Sequence, residues 1–278
     1  LIHKYKSLAR LSHTTVLLWL SLFGAVPLLL ILGLSFLQPG EHVLFHWRFT
    51  LSNYLDLIDP LYAKIALQSL WLACITTFFC LLLGFPMAYF IARMNIRYQN
   101  IALLMLIIPF WTSVLIRIYA TMTLLKAKGL INSILMALGL IHQPLQMLYV
   151  PSAVIFGMIY TLLPFMIMPL YASLEKLDTR VLEAAIDLGA NGWQRFWKVI
   201  LPMSRSGLAS GILLVFLPTM TLFYIPVLLG GARGLLLGNL IETQLLVIHN
   251  WPGAAATSVT LSIALLLLMW LYRHLDRR

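Results

Sequence analysis

EAAIDLGANGWQRFWKVILP, residues 183–202, is the stretch on which the reading of this chain turns. It is a polar, amphipathic island in a sequence that is otherwise mostly apolar. Asp178 or Thr179 supplies the N-cap of a helix with Val181, Ala185 and Leu188 on one side and Arg180, Glu183 and Asp187 on another. Gly189 stands where a helix C-terminus favours glycine. Asn191 precedes Gln194 at capping-box spacing, and Trp193, Phe196, Trp197 and Ile200 recur at i, i+3, i+4 and i+7 until Pro202 stops the second helix. The pattern predicts two short amphipathic helices set at an angle. Their aromatic side is expected against the membrane-proximal ends of a bundle. Their glutamate-bearing side, where Ala184 and Ala185 permit close approach, is expected to face a partner.

The rest of the chain supplies that bundle. Of 278 residues, 61% are hydrophobic and 10% charged, against ~45–50% and ~25% in a soluble domain. A helical crossing needs about 20 mostly apolar residues. Residues 14–36, 65–92, 101–125, 148–173, 206–230 and 252–272 meet that length. This predicts an all-α polytopic membrane protein with six transmembrane helices in one domain, residues 1–278, and a cytoplasmic loop over 174–205. The net charge of +10 does not point to nucleic acid, because the basic residues lie at the ends of the apolar runs. With the N-terminus inside, thirteen lysines and arginines fall on the cytoplasmic side, and Arg48, Lys64, Lys126, Lys128 and Arg233 outside. Both termini are therefore expected in the cytoplasm. The first apolar run is too long for a signal-peptide core and reads as an uncleaved anchor. Cys74 and Cys80 carry no disulfide or metal spacing.

Two outer segments are long enough to do more than connect. Residues 37–61 include Thr50, Leu51, Ser52, Asn53 and Tyr54, capping groups for a short surface helix that could dock an external partner. Residues 230–250 hold an apolar run too short to span, with Glu242 and Gln244, and read as a re-entrant or interfacial helix. Pro27, Pro86, Pro109, Pro164, Pro169, Pro218 and Pro226 punctuate the crossings, and kinked or broken helices suit a transporter.

The island resembles the EAA loop of binding-protein-dependent ABC importer permeases: Glu-Ala-Ala, three residues, Gly, nine residues, Ile, one residue, Leu-Pro. The chain matches with Glu183, Ala184, Ala185, Gly189, Leu201 and Pro202, and Val199 takes the isoleucine position. The resemblance implies a type I importer permease (MetI-like) fold and a loop that couples the bundle to an ATP-hydrolysing subunit. The chain has no Gly-x-x-x-x-Gly-Lys-Ser/Thr phosphate cradle, so it is read as a transport subunit rather than an enzyme. It carries no cofactor of its own on this reading; ATP and Mg are bound by the partner ATPase.

Further segments resemble the spermidine/putrescine permeases of that family. They are Ile108-Pro109-Phe110-Trp111-Thr112, Leu115-Ile116-Arg117-Ile118-Tyr119, Leu163-Pro164-Phe165, Met168-Pro169-Leu170-Tyr171, Gly230-Gly231, Gly238-Asn239 and Trp251-Pro252-Gly253-Ala254-Ala255. This resemblance implies a second homologous permease, two ATP-binding subunits and a periplasmic polyamine-binding protein as partners, in a bacterial inner membrane, with a polyamine as cargo. Val227 departs from the family, which often has a carboxylate just before the Leu-Leu-Gly-Gly run.

A polycation crossing a low-dielectric bundle needs aromatic faces and acceptors. Trp111, Thr112, Tyr119, Tyr160, Thr221 and Tyr224 are the candidates for the pathway, against packing or belt roles as the plainer reading. Glu242 either attracts the cation or pairs with Arg233. A fixed cation suits a polycation route poorly, so Arg117 is given a structural role. It lies roughly 24 Å along its helix from the cytoplasmic end, where it snorkels or bonds backbone carbonyls. His42 and His46, at i and i+4, are the one hint of a membrane metalloenzyme, without a third ligand. A passive channel would leave residues 183–202 unexplained.

Overall fold

The computed structural model describes residues 14–40, 43–231 and 236–276. The chain divides into two compact units, Leu1–Lys64 with Leu240–Arg278, and Ile65–Asn239.

In the first unit, α1 (Thr14–Leu34) is apolar on every side and no part of it is buried within the chain, as expected of a helix whose solvent is lipid. A π-turn at Ser21–Ala25 precedes Pro27. The chain then makes a hairpin of β1 (Leu37–Gln38) and β2 (His46–Phe49), Leu37 opposite Phe49, and a short helix α2 (Ser52–Asp56). The expected surface helix is therefore present, but Asn53 is buried. Its amide donates to the carbonyls of Ser35 (3.0 Å) and Leu37 (2.9 Å), which ties α2 to the end of α1. Thr50 Oγ1 accepts from the backbone N–H of Ser52 at 3.1 Å. The unit closes with α12 (Trp251–Asp276), which packs against α1 and α2.

The second unit begins within α3 (Pro60–Ala92). It continues through α4 (Ile96–Ile107), a 3-10 turn at Ile108–Trp111, α5 (Val114–Leu125), α6 (Leu130–Ala137), α7 (Pro151–Leu174), α8 (Thr179–Asp187), α9 (Gly192–Met203) and α10 (Arg205–Thr221). A π-turn at Pro226–Gly230 follows, and α11 (Leu237–Glu242) begins the passage back to the first unit. The axis of the unit is α7 against α10. Met158, Met166, Ile167, Leu170 and Val215 are fully buried there. Gly211 lets the helices approach closely: a Cβ on it would lie 2.7 Å from the Met166 sulfur. Small residues at crossings perform this service where lipid removes the hydrophobic drive between helices.

Among the described residues four helices are long and apolar enough to cross a membrane, or up to six if each of two bent pairs is one span. The breaks do not follow the prolines one for one. Pro86, Pro164, Pro169 and Pro218 lie within continuous helices. The chain instead turns by 92° between Ile96–Trp111 and Val114–Ala137, and by 72° between Gly192–Met203 and Arg205–Thr221. Each break has a proline in the turn leading into it, Pro109 at the first and Pro202 at the second.

Candidate functional site: a capped helix pair and two broken helices

The residues 178–203 close their own backbone hydrogen bonds. The Asp178 carboxylate accepts from the Arg180 N–H at 2.9 Å and caps α8. At the other end Gly189 adopts φ +79°. The N–H groups of Gly189 and Ala190 reach the carbonyls of Ile186 (2.8 Å) and Ala185 (2.9 Å). This is the Schellman arrangement, which places C′ in the left-handed region that favours glycine. The chain re-enters a helix at once through a complete capping box. Asn191 Oδ1 accepts from the Gln194 N–H (2.8 Å), and Gln194 Oε1 accepts from the Asn191 N–H (3.0 Å).

What this turn presents is clear from exposure. Glu183, Ala184 and Gly189 are exposed and Ala185 is half-buried. Of the side formed by Val181, Ala185 and Leu188, only Ala185 is half-buried; Val181 is exposed, and Leu188, the C-cap that follows the end of α8 at Asp187, is 88% exposed. The aromatic side is seated in part. Ile200 is buried and Phe196 packs edge-on against Phe85 of α3 with ring centroids 5.3 Å apart, but Trp193 and Trp197 remain exposed. Nor does Pro202 stop α9. The helix runs on to Met203, because a π-turn at Phe196–Ile200 widens the backbone just ahead of the ring. The bend comes at Ser204, which is buried and donates its hydroxyl to the Leu201 carbonyl at 3.1 Å. Leu201 and Pro202 are half-buried beside it.

One strut was not legible in the sequence. Arg93, just past the end of α3, lies over the Tyr89 ring at 5.6 Å and donates to the Leu177 carbonyl at 3.4 Å, one residue before the Asp178 cap. As a basic residue at a helix end it served only to assign orientation. Its partner is a backbone carbonyl 84 positions away, which no local pattern announces.

Four pathway candidates lie at two interruptions of helix, the bend at residues 112–113 and the gap at Leu222–Phe223 that follows α10. Trp111, 84% exposed, and Thr112 sit at the first, and the Thr112 hydroxyl donates to the Pro109 carbonyl at 2.7 Å. Thr221 ends α10 and donates to the Pro218 carbonyl at 3.1 Å; Tyr224, half-buried, begins the helical turn that follows the gap at Leu222–Phe223. That gap is held by Asn239, whose amide donates to the Phe223 carbonyl at 2.9 Å and whose Oδ1 is buried with no partner among the described residues. Gly238 lies so close to the Thr221 carbonyl that no side chain fits. Tyr119 and Tyr160 are exposed on α5 and α7.

Arg117 is seated at the first break, and not in the expected way. It is only 8% exposed and neither snorkels nor bonds a backbone carbonyl among the described residues. Its guanidinium lies 5.0 Å over the Phe110 ring. Phe110 in turn packs edge-on against Phe165, 5.2 Å between centroids. Cation–π contact with a desolvated guanidinium is worth ~2 kcal/mol or more, which explains the seat without a salt bridge.

Glu242 belongs to the other unit and is half-buried in α11; Arg233, its expected partner, lies outside the described residues. His42 and Glu41 also lie outside them, and His46 opens strand β2, so a helical i, i+4 ligand pair is not formed. Among the described residues no three His, Cys, Asp or Glu side chains cluster to hold a metal.

The sequence profile of the family "Binding-protein-dependent transport system inner membrane component" matches residues 6–278. The chain belongs to this family. The permease is 48% identical over 263 residues to the spermidine/putrescine transport system permease protein PotB of Salmonella typhimurium strain SL1344, covering 95% of this chain and 92% of that one. It is likewise 48% identical to PotB of Escherichia coli K12, covering 95% and 96%, and 43% identical to PotB of Haemophilus influenzae over 259 residues, covering 93% and 91%. Among solved structures, the permease superposes on a chain of the crystal structure of a bacterial alginate ABC transporter in complex with alginate pentasaccharide-bound periplasmic protein. The TM-score is 0.78 at 18% identity, over 99% of this chain and 96% of that one. A second crystal structure, of a bacterial ABC transporter involved in the import of alginate, gives 0.76 at 19%. The fold is that of an ABC transporter permease. The protein is thus an inner-membrane, multi-pass transport subunit, all-α but for the small hairpin.

Proposed function

We propose that this chain is the membrane-spanning subunit of an ATP-driven importer for spermidine, putrescine or a closely related polyamine, working by alternating access. The observation that carries the coupling is the self-capped turn at residues 178–203, exposed on its Glu183, Ala184 and Gly189 side and anchored on its Phe196 side. Similarity to PotB proteins along 95% of the chain supports the cargo.

In this reading residues 1–278 act as one transmembrane domain with both termini and the 174–205 loop in the cytoplasm, as the distribution of Lys and Arg favours. Glu183, Ala184, Ala185 and Gly189 enter a groove on an ATPase, while Leu201 and Pro202 hold the return to the bundle. ATP and Mg are held by that ATPase. The complete importer contains a second homologous permease, two ATP-binding subunits and a periplasmic polyamine-binding protein. ATP binding brings the ATPases together, pulls α8 and α9, and re-aims the broken helices around the cargo route. Trp111, Thr112, Tyr119, Tyr160, Thr221 and Tyr224 offer aromatic faces and oxygens to ammonium groups, which stabilise a desolvated cation without the deep well that a ring of carboxylates makes. Glu242 supplies a negative charge on the outer approach.

Proteoliposomes holding this permease with its companion permease and ATPase test the reading. ATP-dependent accumulation of radiolabelled spermidine or putrescine, dependent on the binding protein, is the expected result. Accumulation of a different solute class with no polyamine uptake would replace the cargo and keep the machine.

A further inference from the structure

We propose that the groove between α3 and α9 is a binding site for one anionic phospholipid of the surrounding bilayer, with an acyl chain along Phe78, Leu82 and Phe85 and the phosphate on Arg195. The groove has a volume of about 800 Å³. Its walls come from one face of α3 and from the inner face of α9, with Leu182 and Leu208 completing them. Arg195 is the one charged residue among the lining side chains, and none of them is acidic.

Three observations choose the occupant. The first is charge: Arg195 is half-buried, and its Nε is buried with no hydrogen-bond partner among the described residues. A guanidinium charge lining an otherwise apolar groove is costly unless an anion meets it. The site therefore selects an anion and rejects the polyamine cargo. The second is polarity: apart from Arg195 the lining is aliphatic or aromatic, with the Tyr89 phenol at one end, so a nucleotide or a sugar would leave its polar groups unmatched. The third is length. From Phe78 to Tyr89, α3 advances eleven residues, about 17 Å at 1.5 Å each. One leaflet contributes about half of a ~30 Å hydrocarbon core. The groove thus has the reach of one leaflet's acyl chain, and Arg195 waits at its end beside the exposed Trp193 and Trp197, residues typical of the headgroup level. None of the pathway candidates lines this groove.

The occupant would touch both the end of α3 and Phe196, the side chain that anchors the exposed helix pair, so the lipid completes the seat of α9. The test uses the assembled transporter. Purified complex is exchanged into neutral detergent, and retained lipid is counted by native mass spectrometry during titration with phosphatidylglycerol or phosphatidylcholine. The expected result is one phosphatidylglycerol held per copy of this chain and not displaced by equimolar phosphatidylcholine. Arg195→Gln should weaken retention about tenfold, the scale of one charge-assisted hydrogen bond. Arg195→Lys should keep most of it, Leu82→Trp should lose it by filling the groove, and Arg205→Gln, an exposed cation outside the groove, should leave it unchanged. Equal retention by wild type and Arg195→Gln overturns the proposal. So does displacement by phosphatidylcholine, which is read on the wild type alone and needs no variant to fold. Cross-linking of a Leu82→Cys variant to the companion permease also overturns it, by giving the groove to a protein. Lipid retention is counted without transport, so either result leaves the polyamine reading where uptake assays put it.

Discussion

The turn between α8 and α9 and the break between α4 and α5 are both interruptions of helix, yet they are built in opposite ways. At the first, four residues, Leu188 to Asn191, separate two helices, and side chains or backbone groups within a few positions satisfy the freed ends. At the second, Thr112 reaches only the nearby Pro109 carbonyl, and the geometry depends on distant packing through Arg117, Phe110 and Phe165. A self-contained turn transmits force without changing shape. A break that leans on its neighbours changes shape when they move. On the proposed reading the first region serves as a handle and the second as a route.

This contrast can be broken by mutation. Glu183→Lys should have the largest effect, because reversing a charge in a buried contact costs ~2–5 kcal/mol. ATP-driven polyamine uptake is expected to fall at least about thirtyfold, with normal membrane insertion, and unchanged uptake would remove the coupling role. Gly189→Val comes next. Space is open around Gly189 but φ is +79°, so the loss comes from backbone strain of ~1–2 kcal/mol. Permease-stimulated ATP hydrolysis should drop about five- to thirtyfold, whereas Gly192→Ala, with ordinary φ and free space, should leave it near wild type. Asn191→Ala removes one half of the capping box, worth ~1 kcal/mol, and should lower stimulated hydrolysis about fivefold or less. The smallest change is expected on the route. Tyr224→Leu forfeits a cation–π face worth ~0.5–1 kcal/mol and should raise the KM for uptake about two- to fivefold, leaving the hydrolysis stimulated by the binding protein intact. A loss of stimulation in that variant would erase the distinction between the two regions.

The same contrast explains how far the chain could be read before folding. Asp178, Gly189, Asn191 and Gln194 were assignable because a cap uses residues within five positions of one another. The long apolar runs were legible for the same reason, since length and hydropathy are local properties. The errors lie where a backbone irregularity or a group from another turn or helix decides. Pro202 looked like a stop, but the π-turn ahead of it and the buried Ser204 moved the bend beyond it. Arg117 looked like a snorkelling cation, but Phe110 offered a nearer seat. Arg93 gave no hint that it would clasp Leu177. The pathway candidates were chosen by residue type. The structure places Trp111, Thr112, Thr221 and Tyr224 at two interruptions of helix, while Tyr119 and Tyr160 stand on unbroken helix.

The joint at Ser204 has a mechanical corollary. Because α9 and α10 meet at 72°, a tug along the first arrives at the second mostly crosswise, as in a bell-crank. The long arm tips instead of sliding. Since α10 is laid tightly along α7 through Gly211, the proposed coupling would swing that pair as a unit.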